Sequence, residues 1–409
     1  MAPDGTDESG HGAAVADPVD WDPYVHATQI SPYATWQRLR DEAPVYRNDK
    51  YNFYALSRFD DVLHASLDTE TYSSAYGITL DMIPLGAPIP MMIMMDPPEH
   101  DVLRKVVSRA YTPRRVNALE GRIRELCAGY LDPFVGTGAM DYVRDFGMRL
   151  PVMVISSLLG FPEEDHDQLR EWSDAGLHRD EGEERPSAEV LAQLGLVHEY
   201  YRSILAQRRA DPQDDMVSAL AEVEFEDLSG THRRLTDDEI LGMIGLISNA
   251  GNETVARHLG WASLVLAANP AARAELAGDP SLIPGAVEEL LRYEAPSPIQ
   301  GRYTLRDVDL HGTTIPKHST VALLTGSAGR DDRQFPNADR FDIHRKNDRH
   351  LTFGYGAHFC LGAALARLEG RVALAETLAR IPEWDVEVER VRYVSTNTVR
   401  GPESVPITF

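Results

Sequence analysis

The sequence predicts a mainly helical α+β protein, with a large helical portion and a smaller β-sheet portion. Three observations point there. A capping box, Thr236-Asp237-Asp238-Glu239, opens the longest helix candidate, which runs to about Ala268 before Asn269-Pro270. Shorter helical stretches fill most of the chain ahead of it, punctuated by Gly138, Pro162 and Asp211-Pro212. Between Tyr303 and Phe341 the pattern changes to brief β-like runs separated by Gly, Pro and Asp turns.

In chain order, residues 1–20 are acidic and rich in Gly, Ala and Asp, without the basic and apolar regions of a secretory signal. They read as a disordered tail on a cytoplasmic protein, and residues 21–409 as one domain. Ser31-Pro32 opens a helix over 33–42, and Ser57 is placed to cap another through Leu67. Asp96-Pro97-Pro98-Glu99 offers a capping Asp, a proline for the first helical position and an acid for the first turn. Helical patterns follow over 114–131, 142–159 and 187–210. At 1.5 Å per residue the stretch 236–268 spans roughly 50 Å, a domain's width, and its apolar character sends it through the centre. Thr313–Ile315 and Thr320–Leu323 are strand candidates, a last helix occupies 363–381, and 393–409 read as a terminal hairpin.

Composition narrows the function. With 43% hydrophobic residues the chain can build a large core. Its 40 Lys+Arg against 64 Asp+Glu give a net charge of −24, which repels phosphate backbones and argues against nucleic acid. No apolar run approaches the roughly 18–20 residues of a membrane span. The 2 cysteines, Cys127 and Cys360, make no disulfide framework and fall short of a four-cysteine zinc site. A reducing compartment follows. Cys127, among Ile123, Leu126 and Tyr130, reads as a core filler.

Four groups of residues carry chemistry. The long helix is apolar except where Ser248, Asn249, Asn252, Glu253 and Thr254 interrupt it around Gly251. Burying such groups costs several kcal/mol unless each finds a partner, so the band marks either a ligand notch at Gly251 or a polar helix–helix contact with a kink. Phe353-Gly354-Tyr355-Gly356-Ala357-His358-Phe359-Cys360-Leu361-Gly362 forms a tight loop that sets a thiol at a helix N-terminus. There the helix dipole favours thiolate, which suits a nucleophile or an axial haem ligand, with a structural thiol as the third reading. Glu289 and Arg292 stand one turn apart. His100 and Arg104 share a helix face and, with Arg302 and His358, could clamp two carboxylates.

Taken together these residues resemble the cytochromes P450, in the soluble bacterial, actinobacterial type. Residues 353–362 fit that family's cysteine-loop signature at every position, Glu289/Arg292 stand at its Glu-x-x-Arg motif, and 250–254 look like its oxygen-binding helix segment. The resemblance runs from about Trp21 to Phe409. It implies a haem b with Cys360 as the proximal thiolate, framed by Phe353, Gly354 and Gly362. It implies His100, Arg104, Arg302 and His358 on the haem propionates. Ala250 and Gly251 would leave space for O2, and Glu253/Thr254 would serve as the acid–alcohol pair that delivers protons. Relatives that use hydrogen peroxide generally lack that pair. Glu289/Arg292 become a buried structural pair, with Arg340 joining it.

The implied activity is insertion of one oxygen atom from O2 into a hydrophobic small molecule such as a polyketide, terpenoid or steroid. Oxidative coupling or ring closure, or a non-catalytic electron-transfer or sensor role, are the rival readings. Electrons would come from a separate ferredoxin and its reductase, steered to Arg104, Lys105, Arg109, Arg114 and Arg115 on an otherwise acidic chain. The pocket would draw on Met91 and Met92, Leu246 and Asn249, Ile299 and Gln300, and Thr398 and Val399. The chain would act as a monomer. Lys317-His318 and Gly329 with Asp332 depart from the family's usual residues, away from the implied haem contacts.

Overall fold

The computed structural model describes residues 17–85, 91–166, 168–169, 171–172, 187–347, 349–396 and 398–409. Most of the expected tail, residues 1–16, lies outside them.

The long helix is Asp237–Ala268, unbroken over 32 residues. Both halves of its capping box form: Glu239 N–H donates to Thr236 Oγ1 at 3.2 Å, and Thr236 N–H to Glu239 Oε2 at 2.7 Å. It passes through the main core, against helices Arg149–Leu159, Ala188–Ala210 and Ala363–Arg380. Ala363–Arg380 in turn packs on Glu120–Leu131 and Ile283–Tyr293. The cysteine loop therefore sits where the last long helix meets the central one.

The larger sheet has 5 strands in the spatial order Val45–Asn48, Phe53–Leu56, Thr320–Leu323, Gln300–Thr304, Tyr72–Ser73. Phe53–Leu56 and Thr320–Leu323 run parallel; the other neighbours are antiparallel. Alternation accounts for its burial on both faces. Val45, Leu56, Val321 and Leu323 enter one apolar cluster, while Tyr46, Phe53, Ala55 and Ala322 enter another with Trp21 and Trp36.

Several expectations shift in detail. Helix Tyr33–Glu42 and strands Thr313–Ile315 and Thr320–Leu323 have the expected bounds. Ser57 does not cap Phe59–Leu67: Asp331, far along the chain, accepts the Phe59 N–H at 2.9 Å, while the Ser57 carbonyl is taken by Ser327. Asp96 does not cap Glu99–Ala110 either, because Ser73 Oγ and the Ser74 N–H (2.8 Å) hold its carboxylate. The stretch 114–131 divides into Pro113–Ala118 and Glu120–Leu131, and 142–159 begins with a wide π-type turn, Tyr142–Gly147, before Arg149–Leu159. The terminal hairpin is split between two sheets. Arg392–Tyr393 pairs with Pro402–Ser404, but Pro406–Thr408 leaves to pair with Asp385–Val386 and Ala139–Asp141.

Glu289 and Arg292 are fully buried and bidentate, both contacts being 2.7 Å. Arg292 also donates to the carbonyls of Gly329 at 2.6 Å and Ala338 at 2.9 Å. Glu289 further accepts from Arg345 Nε at 3.2 Å, Asn347 Nδ2 at 2.9 Å and the Asp342 N–H at 3.0 Å. Arg345, not Arg340, is thus the guanidinium that joins the pair. Arg340 turns its side chain to solvent and lends only its carbonyl, which takes Arg345 Nη2 at 3.0 Å. Removing Glu289 strands two guanidinium groups in a buried site. Glu289→Ala is expected to cost about 3–5 kcal/mol in urea unfolding, whereas Arg340→Ala changes the midpoint little.

Candidate functional site

A cavity of about 260 Å³ opens between the central helix, the cysteine loop, helix Glu99–Ala110 and strand Gln300–Thr304. The loop is shaped by two residues in the left-handed region, Gly354 at φ +68° and Gly356 at φ +72°. A Cβ on Gly356 would lie 2.8 Å from the Ser66 carbonyl oxygen, so only glycine fits there. Cys360 N–H closes the loop on the Phe353 carbonyl at 2.8 Å, and the sulfur faces the cavity. Burial pushes the Cys360 thiol up, against the N–H groups of Gly362 and Ala363 and the Arg104 and Arg367 charges, which favour thiolate. Arg367 lies over the Phe353 ring at 4.5 Å and pairs with Glu288 at 2.7 and 2.9 Å, fixing the start of the loop.

The expected propionate-binding residues converge. His100, Arg104, Arg302 and His358 all line the cavity. The His100 and His358 rings lie 4.4 Å apart. Burial lowers Arg302 to about 10, and its hydrogen bond goes to the Gly301 carbonyl. His358 is pushed down to about 3 by burial and by the neighbouring Arg302, His100 and Arg104, and its buried Nε2 has no partner among the described residues. Two guanidinium groups and two imidazoles, one with an orphaned ring nitrogen, gathered with a thiol around a largely apolar chamber, fit a haem. Its two carboxylates would be matched by the cations and its iron by the sulfur.

On the opposite wall, Ala250, Gly251 and Thr254 line the cavity. Thr254 Oγ1 donates to the Ala250 carbonyl at 2.8 Å. Glu253 is placed differently. Its carboxylate accepts from Arg257 Nε at 3.0 Å and Nη2 at 2.6 Å, and Arg257 Nη1 donates to the Pro402 carbonyl at 2.6 Å. The acid is therefore drawn toward strand Pro402–Ser404 and stays outside the cavity lining. Gly251 also packs closely on a neighbouring helix. A Cβ there would lie 2.7 Å from Ile155 Cδ1, so the glycine serves close helix packing. With Ser248 receiving the Tyr201 hydroxyl at 2.8 Å, much of the polar band resolves into paired contacts on a helix that does not break.

Of the expected pocket residues, Met92, Leu246 and Gln300 line the cavity, whereas Met91, Asn249, Ile299, Thr398 and Val399 do not. Strand alternation explains Ile299: Gln300 and Arg302 share the cavity face, and Ile299 packs instead with Trp21, Trp36 and Leu39. Thr398 and Val399 join Ile299 and Arg400 around a separate small pocket. Asn249 points to solvent. Met91 precedes the short turn Met92–Met94, and the expected Met-rich stretch is only partly described, since residues 86–90 lie outside. Of the basic patch, Lys105 and Arg114 are exposed, Arg109 reaches the Glu224 carbonyl at 3.4 Å, Arg115 pairs with Asp214 at 3.2 Å, and Arg104 donates to the Phe359 carbonyl at 2.6 Å.

Sequence reasoning missed Glu369. It lies on the helix after Cys360, lines the cavity, and has a buried Oε2 without a partner among the described residues. Its signal was an acid set among Leu365, Leu368 and Val372 on the buried face of that helix. Cys127 fills the core as expected, its thiol pushed up to about 12 by burial. Burial raises the Glu369 carboxyl from 4.5 to about 8. Between those values the folded chain keeps a proton that the unfolded chain has released, so this group makes stability decline as pH rises through that window. Urea unfolding at both ends of the window is expected to show the decline, and Glu369→Gln to flatten it.

Comparison with known proteins agrees with this geometry. A family model described as Cytochrome P450 matches residues 281–391. The chain is 40% identical over 392 residues to the putative cytochrome P450 123 of Mycobacterium tuberculosis, covering 95% of this chain and 96% of that one. It is 38% identical over 392 residues to a vitamin D(3) 25-hydroxylase of Pseudonocardia autotrophica, covering 93% and 94%. Among solved structures, cytochrome P450 CYP109Q5 from Chondromyces apiculatus superposes with a TM-score of 0.86 at 32% identity, covering 95% and 98%. CYP109E1 from Bacillus megaterium in complex with testosterone gives 0.83 at 30% identity, covering 93% and 99%. The chain belongs to the cytochrome P450 family and is a monooxygenase of that fold, a class that works with a haem held by a cysteine thiolate.

Proposed function

We propose that the cavity binds haem b and a hydrophobic natural product of the polyketide, terpenoid or steroid kind, and that the enzyme inserts one atom of O2 into it. The observation that carries this is the Cys360 thiol sharing a chamber with the guanidinium groups of Arg104 and Arg302 and the imidazoles of His100 and His358. When bound, the haem supplies O2 activation at its iron, with the thiolate pushing electron density toward O–O cleavage. The residues of the chain do the rest. His100, Arg104, Arg302 and His358 would hold the propionates, whose charge would offset the burial of Arg302. The loop N–H groups of Gly362 and Ala363 temper the sulfur's charge. Thr254 keeps a hydroxyl at the chamber wall, where Oγ1 can pass a proton inward in place of its bond to Ala250. Arg257 holds Glu253 through Oε2 alone, leaving Oε1 as the oxygen that can carry a proton toward Thr254.

Electrons arrive in this reading from a ferredoxin, reduced by its own reductase, that docks on Lys105, Arg109 and Arg114 beside the exposed Phe359. The vitamin D(3) hydroxylase and the testosterone complex among its relatives support a substrate of about that size. The chain works as a single cytoplasmic domain from Trp21 on, and as a monomer kept dispersed by its net charge of −24. Two measurements test the reading. Thr254→Ala is expected to release several-fold more hydrogen peroxide per NADPH consumed; unchanged coupling removes Thr254 from the relay. Lys105→Glu with Arg114→Glu is expected to raise the KM for ferredoxin at least several-fold, most strongly at low salt, with substrate binding unaltered. An unchanged KM moves the docking face elsewhere.

A further inference from the structure

Gln300 and Ser297 enter the cavity side by side, and the backbone around them sets the direction of their hydrogen bonds. Ser297 Oγ lies 3.0 Å from the carbonyl oxygen of Thr398. A carbonyl only accepts, so the single hydroxyl proton is committed there. That carbonyl is held in place. Thr396 Oγ1 takes the N–H groups of Thr398 at 3.4 Å and Val399 at 3.1 Å, and donates to the Val399 carbonyl at 2.9 Å.

Gln300 Nε2 stands 3.0 Å from the same Ser297 hydroxyl. With its proton already given away, that oxygen can only accept, so the side-chain amide is oriented with Nε2 toward Ser297 and Oε1 turned away from it. No donor among the described residues reaches Oε1. Two neighbouring carbonyls are occupied: that of Ser297 accepts from Thr325 Oγ1 at 3.1 Å, and that of Gly301 from Arg302 Nη1 at 2.7 Å. The same cavity is lined by the apolar Ile78, Met92, Leu246 and Pro296.

We propose that Gln300 Oε1 receives the hydroxyl proton of an otherwise apolar substrate, making Gln300 the residue that selects an alcohol over the corresponding ketone. The inference deepens the reading of this cavity as the substrate chamber and rests on it. A ketone in the same place sets two acceptors against each other. To accommodate it the amide must turn over, and Ser297 must then abandon Thr398 to satisfy the reversed group. The penalty for leaving such an acceptor unpaired corresponds to roughly tenfold in affinity.

The test uses a steroid pair that differs in one respect at both ends, so that orientation in the pocket does not matter. 5α-Androstane-3β,17β-diol and 5α-androstane-3,17-dione are titrated into the haem-loaded enzyme, and affinity is read from the Soret shift. The wild type is expected to bind the diol on the order of tenfold more tightly than the dione. Gln300→Leu is expected to bring the ratio near one, and Ser297→Ala, which frees the amide to turn, to reduce it while keeping the glutamine. Equal affinities in the wild type, a preference for the dione, or a preference that survives Gln300→Leu overturns the assignment and leaves the chamber reading standing. A Soret band that neither steroid moves, in wild type or variants, overturns both.

Discussion

One sulfur atom organises this molecule. Cys360 is set by two left-handed glycines and a backbone bond to Phe353 so that its thiol faces an enclosed chamber. Burial there disfavours the thiolate, more than the Gly362 and Ala363 N–H groups and the nearby Arg104 and Arg367 charges offset. The same holds on the other side of the chamber, where Arg302 and His358 are both lowered by burial. These are opposite costs in one cavity. A haem held by the sulfur, with its two carboxylates against the arginines, would remove them together.

The supporting structure reflects the need to hold that loop still. Glu289 and Arg292 satisfy nearly all of their donors and acceptors through backbone groups of 329–342 and through Arg345, tying the segment before the loop to helix Ile283–Tyr293. The central helix does the opposite task on the far wall. It carries polar groups through an apolar core, and pairs them locally: Glu253 with Arg257, Thr254 with its own backbone, Ser248 with Tyr201. These local pairs let the helix carry an acid next to the chamber wall and stay folded.

Much of this was legible in the chain, and the limits have physical causes. Local signals read well. The Thr236–Glu239 box located the long helix, and a dense glycine-framed cysteine loop located the thiol. Readings failed where the deciding partner lies far along the chain. Ser57 and Asp96 have the composition of caps, but Asp331 and Ser73 compete for the same groups. Arg345 takes the place expected of Arg340, reaching Glu289 Oε1 at 3.2 Å, while the Arg340 side chain is exposed. Strands Val45–Asn48 and Phe53–Leu56 are only 4 residues each and were not anticipated; they join the sheet only because Phe53–Leu56 pairs with the distant Thr320–Leu323. In the pocket, period-two alternation separates Gln300 from Ile299, a distinction that needs the strand's facing and not its composition. Glu369 escaped notice because an acid in a helix is ordinarily solvated, and only tertiary packing shows this one to be buried.

The central claim is that the Cys360 sulfur binds iron as thiolate. The direct measurement is the absorbance of the purified, pigmented protein reduced under carbon monoxide, beside Cys360→His. The account expects the strongly red-shifted Soret band that a thiolate opposite carbon monoxide produces, present in the wild type and absent from the variant. A wild-type band at the ordinary position of imidazole-ligated haem, in freshly prepared protein, would contradict it.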